Sequence, residues 1–184
     1  TSTNASCAGY FDGSVSILIN GGTVPYSTNW NGNNPTALNS GVYNFTVTDD
    51  NGCTSQENVS INEPPEMQLE IDTFSVSCFG GNDGYAVLNI SGGAGAPYNT
   101  SWGILNPNFL PSGNHIVTVY DANNCALIDT VIITEPLEIQ ISTIINNVSC
   151  FGDVDGNVFL QLNGGTPPLI ENWFGIDSSF LAPG

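Results

Sequence analysis

The most informative absence in this 184-residue chain is that of permanent positive charge. The sequence contains no lysine and no arginine against 17 acidic residues, which gives a formal net charge of −17 at pH 7. Without guanidinium or ammonium groups, the chain cannot neutralise nucleic-acid phosphates or clamp an anionic substrate. We therefore expect no nucleic-acid partner, and the negative charge also opposes contact with anionic bilayers.

Long hydrophobic runs are absent as well. The longest runs have the length of a strand, such as Val131-Ile132-Ile133, whereas a membrane helix needs about 20 apolar residues. We predict no direct membrane insertion, and no signal peptide is recognisable. Charged residues make up only 9% of the chain and hydrophobic residues 40%, so we expect a folded protein rather than a solvated acidic tail.

Three copies of a cysteine–glycine motif divide the chain into similar units. Cys7, Cys78 and Cys150 each precede an Asp-Gly pair and lie 71 and 72 residues apart. The later landmarks keep this step: Trp30, Trp102 and Trp173; Cys53 and Cys125; Glu63-Pro64 and Glu135-Pro136. We predict one repeat over 1–64 with an incomplete first strand, a complete repeat over 65–136, and a C-terminally truncated repeat over 137–184. The chain is expected to be a piece of a longer protein.

Within each repeat the hydrophobic period is two, which is typical of strands with one buried face. Val15, Ile17 and Ile19 alternate with polar residues, and a Gly-Gly turn follows. No stretch shows a convincing amphipathic helical pattern. The predicted fold is therefore all-β: tandem small immunoglobulin-like β-sandwich repeats, joined by short Glu-Pro linkers into a rod-like array.

The five cysteines fit the repeat if each module holds one disulfide. Cys7 and Cys53 are 46 residues apart, and Cys78 and Cys125 are 47 apart. We predict the pairs Cys7–Cys53 and Cys78–Cys125, with the partner of Cys150 missing by truncation. Such bonds indicate an oxidising compartment. The alternative is a set of reduced cysteines in the core.

Together these features resemble the SprB repeat of Bacteroidota. The landmarks of the second module that carry the resemblance are Cys78, Gly80, Asp83-Gly84, Gly92-Gly93, Pro97-Tyr98, Trp102, Leu110, Gly113, Asp121, Cys125 and Glu135-Pro136. The resemblance implies a very large extracellular adhesin, associated with the outer membrane and exported by the type IX secretion machinery. Several such proteins act in gliding motility. Thr130, within Asp129-Thr130-Val131, resembles the O-glycosylation motif of this group.

Recurrent aspartates raise the question of calcium, although no cofactor is required by the fold. The candidate ligands are Asp12, Asp49, Asp83, Asp121, Asp153 and Asp155, since clustered carboxylates suit a hard cation. The alternative is an Asp-Gly turn in which the side chain caps the backbone. We favour the turn, because no EF-hand spacing is present.

Aromatic residues beside the first cysteine of each repeat are candidates for surface contact: Tyr10, Phe11, Phe79 and Phe151. The tryptophans offer a sugar-stacking platform or, as we prefer, fill the core. The single histidine, His115, stands where the first repeat has Tyr43. We interpret it as a packed aromatic substitute rather than a catalytic residue, and we predict no enzyme.

The sequence thus favours a structural and adhesive repeat segment of a large bacterial cell-surface filament, related to attachment or gliding. Its expected partners are neighbouring repeats of the same chain and surface polysaccharide or other surface proteins. The alternative is a calcium-dependent glycan-binding module.

Overall fold

A computed structural model describes residues 1–174, 178 and 181, and within that part of the chain every regular element is a β-strand. The all-β prediction is confirmed. No described segment forms a helix that is long and apolar enough to cross a bilayer. The strands are β1 (Ser2–Thr3), β2 (Ser14–Val15), β3 (Ser27–Asn29), β4 (Gly41–Thr48), β5 (Thr54–Ile61), β6 (Gln68–Phe74), β7 (Tyr85–Ser91), β8 (Asn99–Ser101), β9 (Gly113–Tyr120), β10 (Ala126–Ile133), β11 (Gln140–Asn146) and β12 (Asn157–Asn163).

Two-stranded and three-stranded sheets alternate along the chain. The two-stranded sheets are β1-β2, β6-β7 and β11-β12, and the three-stranded sheets have the orders β3-β4-β5 and β10-β9-β8. An isolated antiparallel bridge recurs in each repeat and joins the glycine of the Asp-Gly pair to a leucine: Gly13–Leu38, Gly84–Leu110 and Gly156–Leu181. The tandem repeat arrangement and the packing of the sheets as immunoglobulin-like sandwiches stay predictions.

The predicted alternation decides which face of a strand is buried. In β9, His115, Val117 and Val119 are buried while the residues between them are more exposed. Successive side chains of a strand point to opposite faces. The period-two pattern in the sequence therefore identifies the core-facing residues of this strand correctly.

One strand is shorter than its sequence pattern predicts. The alternation over Val15, Ile17 and Ile19 indicates a strand as long as β7 and β12, but β2 contains only Ser14–Val15. Its partner β1 offers two residues for pairing, whereas β11 offers seven to β12. β2 is therefore assigned only where β1 lies beside it, and β1 begins one residue after the start of the sequence.

The chain divides into two compact units. The first contains Thr1–Ile71, Leu88–Ser101 and Ile116–Asp129; the second contains Asp72–Val87, Trp102–His115 and Thr130–Gly184. Fully buried Ile61, Val117 and Val119 lie in the core of the first unit. Leu110 and Ile133, which are also fully buried, lie in the core of the second unit. The repeat boundaries predicted from sequence, 1–64, 65–136 and 137–184, stay a prediction.

The disulfide differs from both predicted pairs. Cys7 is bonded to Cys125, 118 residues away, with a Cα–Cα distance of 5.7 Å, whereas Cys53, Cys78 and Cys150 are free and exposed. The predictions Cys7–Cys53, Cys78–Cys125 and one disulfide per module are therefore wrong. Sequence spacing shows that an early and a late cysteine recur, but it does not show which late turn lies beside which early turn.

A side-chain contact explains the choice of partner. The amide Nδ2 of Asn123 donates a hydrogen bond to the carbonyl oxygen of Ser6 over 2.8 Å. This bond holds the turn that contains Cys125 against the residue preceding Cys7. The bonded cysteines thus come from the predicted first and second repeats.

Candidate functional site

Asp121 organises the turn that presents Cys125. It follows β9 directly, and its side chain is only 1% exposed. Its Oδ1 accepts hydrogen bonds from the backbone N–H groups of Asn123 and Cys125, each over 2.9 Å. Its Oδ2 accepts one from the N–H of Ala94 over 2.7 Å. The carboxylate therefore fixes both the turn and the neighbouring Gly-Gly loop.

These donors also decide the charge state of the buried carboxyl. Burial raises the pKa of Asp121, because a low-dielectric environment disfavours the anion. The three backbone N–H donors of Ala94, Cys125 and Asn123 stabilise the anion and outweigh burial, so the pKa lies below its ordinary value. Asp121 is thus ionised wherever the protein is folded at neutral pH.

The first repeat contains the same turn around Asp49. Its Oδ1 accepts hydrogen bonds from the N–H groups of Asn51 and Cys53 over 3.0 and 2.8 Å, and its Oδ2 accepts one from Thr23 over 3.0 Å. The N–H groups of Cys53 and Thr23 lower the pKa of Asp49. The geometry matches the Asp121 turn, but here the cysteine is an exposed free thiol.

A second recurrent carboxylate shapes the turn around the early cysteine. The N–H groups of Ser6, Ser77 and Ser149 donate to the Oδ1 atoms of the aspartates six residues later over 2.9, 3.0 and 2.9 Å. Hydrogen bonds from these serines lower the pKa of each aspartate, which are Asp12, Asp83 and Asp155. These aspartates therefore cap the backbone just before the early cysteine.

The carboxylates do not form a metal centre in the part of the chain that the structure describes. There, no group of three or more His, Cys, Asp and Glu side chains is placed to hold an ion. Asp153 accepts a hydrogen bond from the hydroxyl of Ser149 over 2.9 Å and so shares that serine with Asp155. The turn interpretation accounts for these contacts, and calcium binding stays a prediction.

The sequence analysis missed a role of the glutamate in the Glu-Pro linker. Glu63 accepts a hydrogen bond from the N–H of Gly9 over 2.7 Å, and Glu135 accepts one from Gly80 over 2.9 Å. Both glycines have positive φ, 72° and 70°, which places their N–H groups toward the glutamate. One signal for this contact was present in the sequence: the Cys-x-Gly and Glu-Pro motifs recur with the same spacing in the first two repeats.

His115 packs in the core as predicted. The residue is 7% exposed, and its Nε2 hydrogen-bonds the carbonyl oxygen of Pro111 over 2.8 Å. In the first repeat, the hydroxyl of Tyr43 donates to the carbonyl oxygen of Asn39 over 3.1 Å, again four residues upstream. The histidine thus reproduces both the packing and the hydrogen bond of the tyrosine.

The aromatic residues separate into buried and exposed sets. Trp30 and Trp102 are buried, and Trp30 stacks on Phe45 with ring centroids 4.4 Å apart. The core interpretation is confirmed for these two tryptophans. The predicted contact residues are exposed: Tyr10 (53%), Phe11 (68%), Phe79 (53%) and Phe151 (102%). Thr130, the predicted glycosylation residue, is also exposed on β10.

Small antiparallel sheets recur along the described chain, and backbone N–H groups satisfy its recurrent carboxylates. The SprB repeat family model matches residues 1–35 and 71–102, which together are less than half of the chain. The resemblance inferred from the sequence is confirmed there. The family is structural rather than enzymatic and indicates a repeat segment of a cell-surface adhesin. No curated protein and no solved structure matches the chain.

Proposed function

We propose that this chain is a structural and adhesive segment of a bacterial cell-surface filament, in which the repeats act as spacers and present a recurring contact surface. The observation that carries the adhesive part is that one or two exposed aromatic residues lie beside each early cysteine. We name Tyr10, Phe11, Phe79 and Phe151 the aromatic rim. These rings are exposed while Trp30 and Trp102 are buried, so the fold leaves solvent-facing aromatics within four residues of each early cysteine.

Charge restricts the surfaces that such a rim can bind. A chain with 17 acidic residues and no permanent cation is repelled by anionic surfaces. Aromatic rings bind neutral polysaccharide and apolar substrata through their faces and apolar area. We therefore expect the chain to attach to neutral surfaces. This preference suits an adhesin that is exported by type IX secretion, stays associated with the outer membrane and takes part in gliding. Glycosylation of Thr130 would add further neutral polar surface.

The adhesive role is tested with a quartz crystal microbalance on neutral polysaccharide and on alkyl-coated surfaces. Replacing all four residues of the aromatic rim by serine is expected to reduce adsorption on at least one of these surfaces by about tenfold or more, equivalent to roughly 1.4 kcal/mol of lost contact. Phe109 provides a matched control, because it is 62% exposed and does not lie beside an early cysteine. Phe109→Ser should adsorb like the wild type.

Equal adsorption by the rim variant and the wild type on both surfaces would contradict the adhesive proposal. The same measurement with a calcium chelator separates the alternative function. We expect chelation to leave adsorption and the melting temperature unchanged, whereas a loss of polysaccharide binding on chelation would favour a calcium-dependent glycan-binding module.

A further inference from the structure

The outer face of the sheet β3-β4-β5 carries polar side chains without charge. This sheet lies within the first unit, and Phe45 and Ile61 are buried on its inner face. Because successive side chains of a strand point to opposite faces, the two neighbours of Phe45, Asn44 and Thr46, point outward. The outward positions of β4 and β5 hold only threonine, serine, asparagine, glutamine and one valine. In a chain with 17 acidic residues, this face is a neutral hydrogen-bonding surface.

Four of these side chains form a compact group where β4 and β5 pair. Asn44 lies directly opposite Asn58, and Thr46 lies opposite Gln56. Opposed residues have Cβ atoms about 5 Å apart, and the next outward residue along a strand is about 7 Å away. We name these four residues the amide cluster. Its three side-chain amides are exposed and make no hydrogen bond within the described part of the chain, so their donors and acceptors are open to a ligand.

The shortness of the third strand turns this surface into a hollow. β3 pairs only with residues 46–48 of β4, so it ends before it reaches Asn44. The turn that follows is closed by a hydrogen bond from the N–H of Asn33 to the carbonyl oxygen of Trp30 over 3.1 Å. Within this turn, the Nδ2 of Asn31 donates to the backbone carbonyl oxygen of Asn44 over 3.1 Å. Asn31 therefore forms a wall and the amide cluster forms the floor of a hollow of about 330 Å³.

The equivalent face of the sheet β10-β9-β8 is open as well, but it is apolar. Ile116 and Ile128 follow Asn44 and Gln56 by 72 residues each. The two isoleucines are 65% and 66% exposed. Gly103 stands where the first sheet has its wall residue, and it offers no side chain to form a wall. The outer face is therefore exposed at both places, whereas the polar hollow comes from the particular residues of the first sheet.

The chemistry of the hollow fits a neutral glycan. A side-chain amide offers two donors and one acceptor, and a hydroxyl both donates and accepts, so amides and sugar hydroxyls are complementary. The outward positions lack the aromatic and arginine anchors of protein interfaces. Glu57 borders the hollow, but it lies opposite Phe45 and so points to the inner face. The net charge of −17 disfavours anionic glycans.

We propose that the hollow formed by Asn31 and the amide cluster binds a neutral oligosaccharide through hydrogen bonds to its hydroxyl groups. The volume falls within the range of about 300–1,000 Å³ that is usual for small-molecule sites. This inference rests on the proposed adhesive function for the class of ligand. Its site is a different one, because no residue of the aromatic rim lines the hollow. The rim offers apolar contact area, whereas the hollow distinguishes neutral glycans by the positions of their hydroxyl groups.

Binding of soluble sugars to the 184-residue chain tests the site. The chain is applied to an array of short linear oligosaccharides of glucose, galactose and mannose and of the corresponding uronic acids, and the affinity for a bound sugar is then measured by calorimetry. We expect binding to at least one neutral oligosaccharide. Its uronic acid counterpart should bind about tenfold more weakly or worse, because the acidic chain repels it.

Two variants test the amides of the cluster. Asn44→Ile combined with Gln56→Ile gives this face the residues that the equivalent positions of β9 and β10 already hold, and isoleucine suits a strand. Loss of two hydrogen-bonding amides should weaken sugar binding about tenfold or more. Asn58→Asp keeps the shape of the side chain but exchanges a donor for a charge, and it should weaken binding to a similar extent.

A matched control removes the same two kinds of amide elsewhere. Gln68 and Asn99 are exposed on β6 and β8 and do not line the hollow. Gln68→Ile combined with Asn99→Ile should therefore bind the sugar like the wild type. The variant with serine at all four positions of the aromatic rim should also keep this affinity, although it loses adsorption to solid surfaces.

The proposal is overturned if the wild type binds no neutral oligosaccharide, if both variants of the amide cluster bind as well as the wild type, or if the control variant loses as much affinity as they do. None of these results contradicts the adhesive role of the aromatic rim, which is measured by adsorption. A rim variant that loses soluble sugar binding, while the cluster variants keep it, would place the glycan site at the rim instead.

Discussion

At the scale of single residues, two aspartates in equivalent turns differ in how deeply they are buried. Asp121 and Asp49 each accept hydrogen bonds from three backbone N–H groups, and the donors occupy matching positions around the two turns. Asp121 is fully buried, whereas Asp49 is half-buried. Water can replace a lost acceptor only where it has access to the donors. The two aspartates therefore form a matched pair that measures the effect of burial.

Replacing Asp121 by alanine leaves three N–H groups without an acceptor, of which that of Cys125 is buried and those of Ala94 and Asn123 are part-buried. We expect the free energy of unfolding to fall by about 3 kcal/mol, and by clearly less for Asp49→Ala, because water reaches the donors there. Urea denaturation followed by tryptophan fluorescence measures both. Equal losses in the two variants would show that burial does not control the strength of these hydrogen bonds.

Acid stability should depend on the same carboxylates. The pKa values of Asp12, Asp49, Asp83, Asp121 and Asp155 all lie below the ordinary value of 3.8. The folded state therefore binds protons less readily than the unfolded state, and the stabilisation is complete above pH 3.8. It is lost as the pH falls through the folded-state values.

The melting temperature is consequently expected to change little from these groups between pH 5 and 7 and to drop below about pH 4. Differential scanning calorimetry at stepwise lower pH provides the measurement. The Asp121→Asn variant cannot gain a proton at this position, so its melting temperature should depend less on pH. A melting temperature that rises below pH 4 would contradict the direction of the pKa shifts.

At the scale of the elements, the Asp-Gly glycine serves close packing rather than a turn with positive φ. A Cβ atom added to Gly84 would lie 2.6 Å from Cγ2 of Ile133 and 2.9 Å from the carbonyl oxygen of Leu110. At Gly13 the equivalent distances to Ile61 and Leu38 are both 2.7 Å. The recurrent glycine–leucine bridge thus requires a residue without a side chain.

Gly84→Ala is expected to lower the free energy of unfolding by roughly 2–3 kcal/mol, because the core must shift to admit the methyl group. Gly32→Ala is the comparison: Gly32 has a φ of 86° and no atom within 4 Å of the added Cβ. That variant should lose only about 1 kcal/mol from backbone strain. A smaller loss at Gly84 than at Gly32 would remove close packing as the reason for the glycine.

The strands were largely predictable because their information is local. Alternation over Tyr43, Phe45 and Val47 predicts β4, and the same pattern predicts β9 with His115 in the place of a tyrosine. The disulfide partner of Cys7 was not predictable from such a local pattern. The acceptor role of Glu63 toward Gly9 was also missed, since it joins residues 54 positions apart.

At the scale of the whole molecule, the cysteine pairing shows what a repeat pattern leaves open. Translation by one repeat leaves the cysteine spacing unchanged, so pairing within a repeat and pairing with the next repeat give the same pattern in the sequence. The choice depends on a long-range contact, the bond from Asn123 to the carbonyl of Ser6. No local rule connects residues 117 positions apart.

The observed bond should contribute to stability where the predicted bonds would not. The chain-entropy model assigns roughly 5 kcal/mol to closing a loop that spans 118 residues. We expect the double variant Cys7→Ser and Cys125→Ser to unfold at a lower urea concentration. The double variant Cys53→Ser and Cys78→Ser removes two exposed free thiols and should match the wild type. A stability loss confined to the second pair would instead assign the structural bond to Cys53 and Cys78.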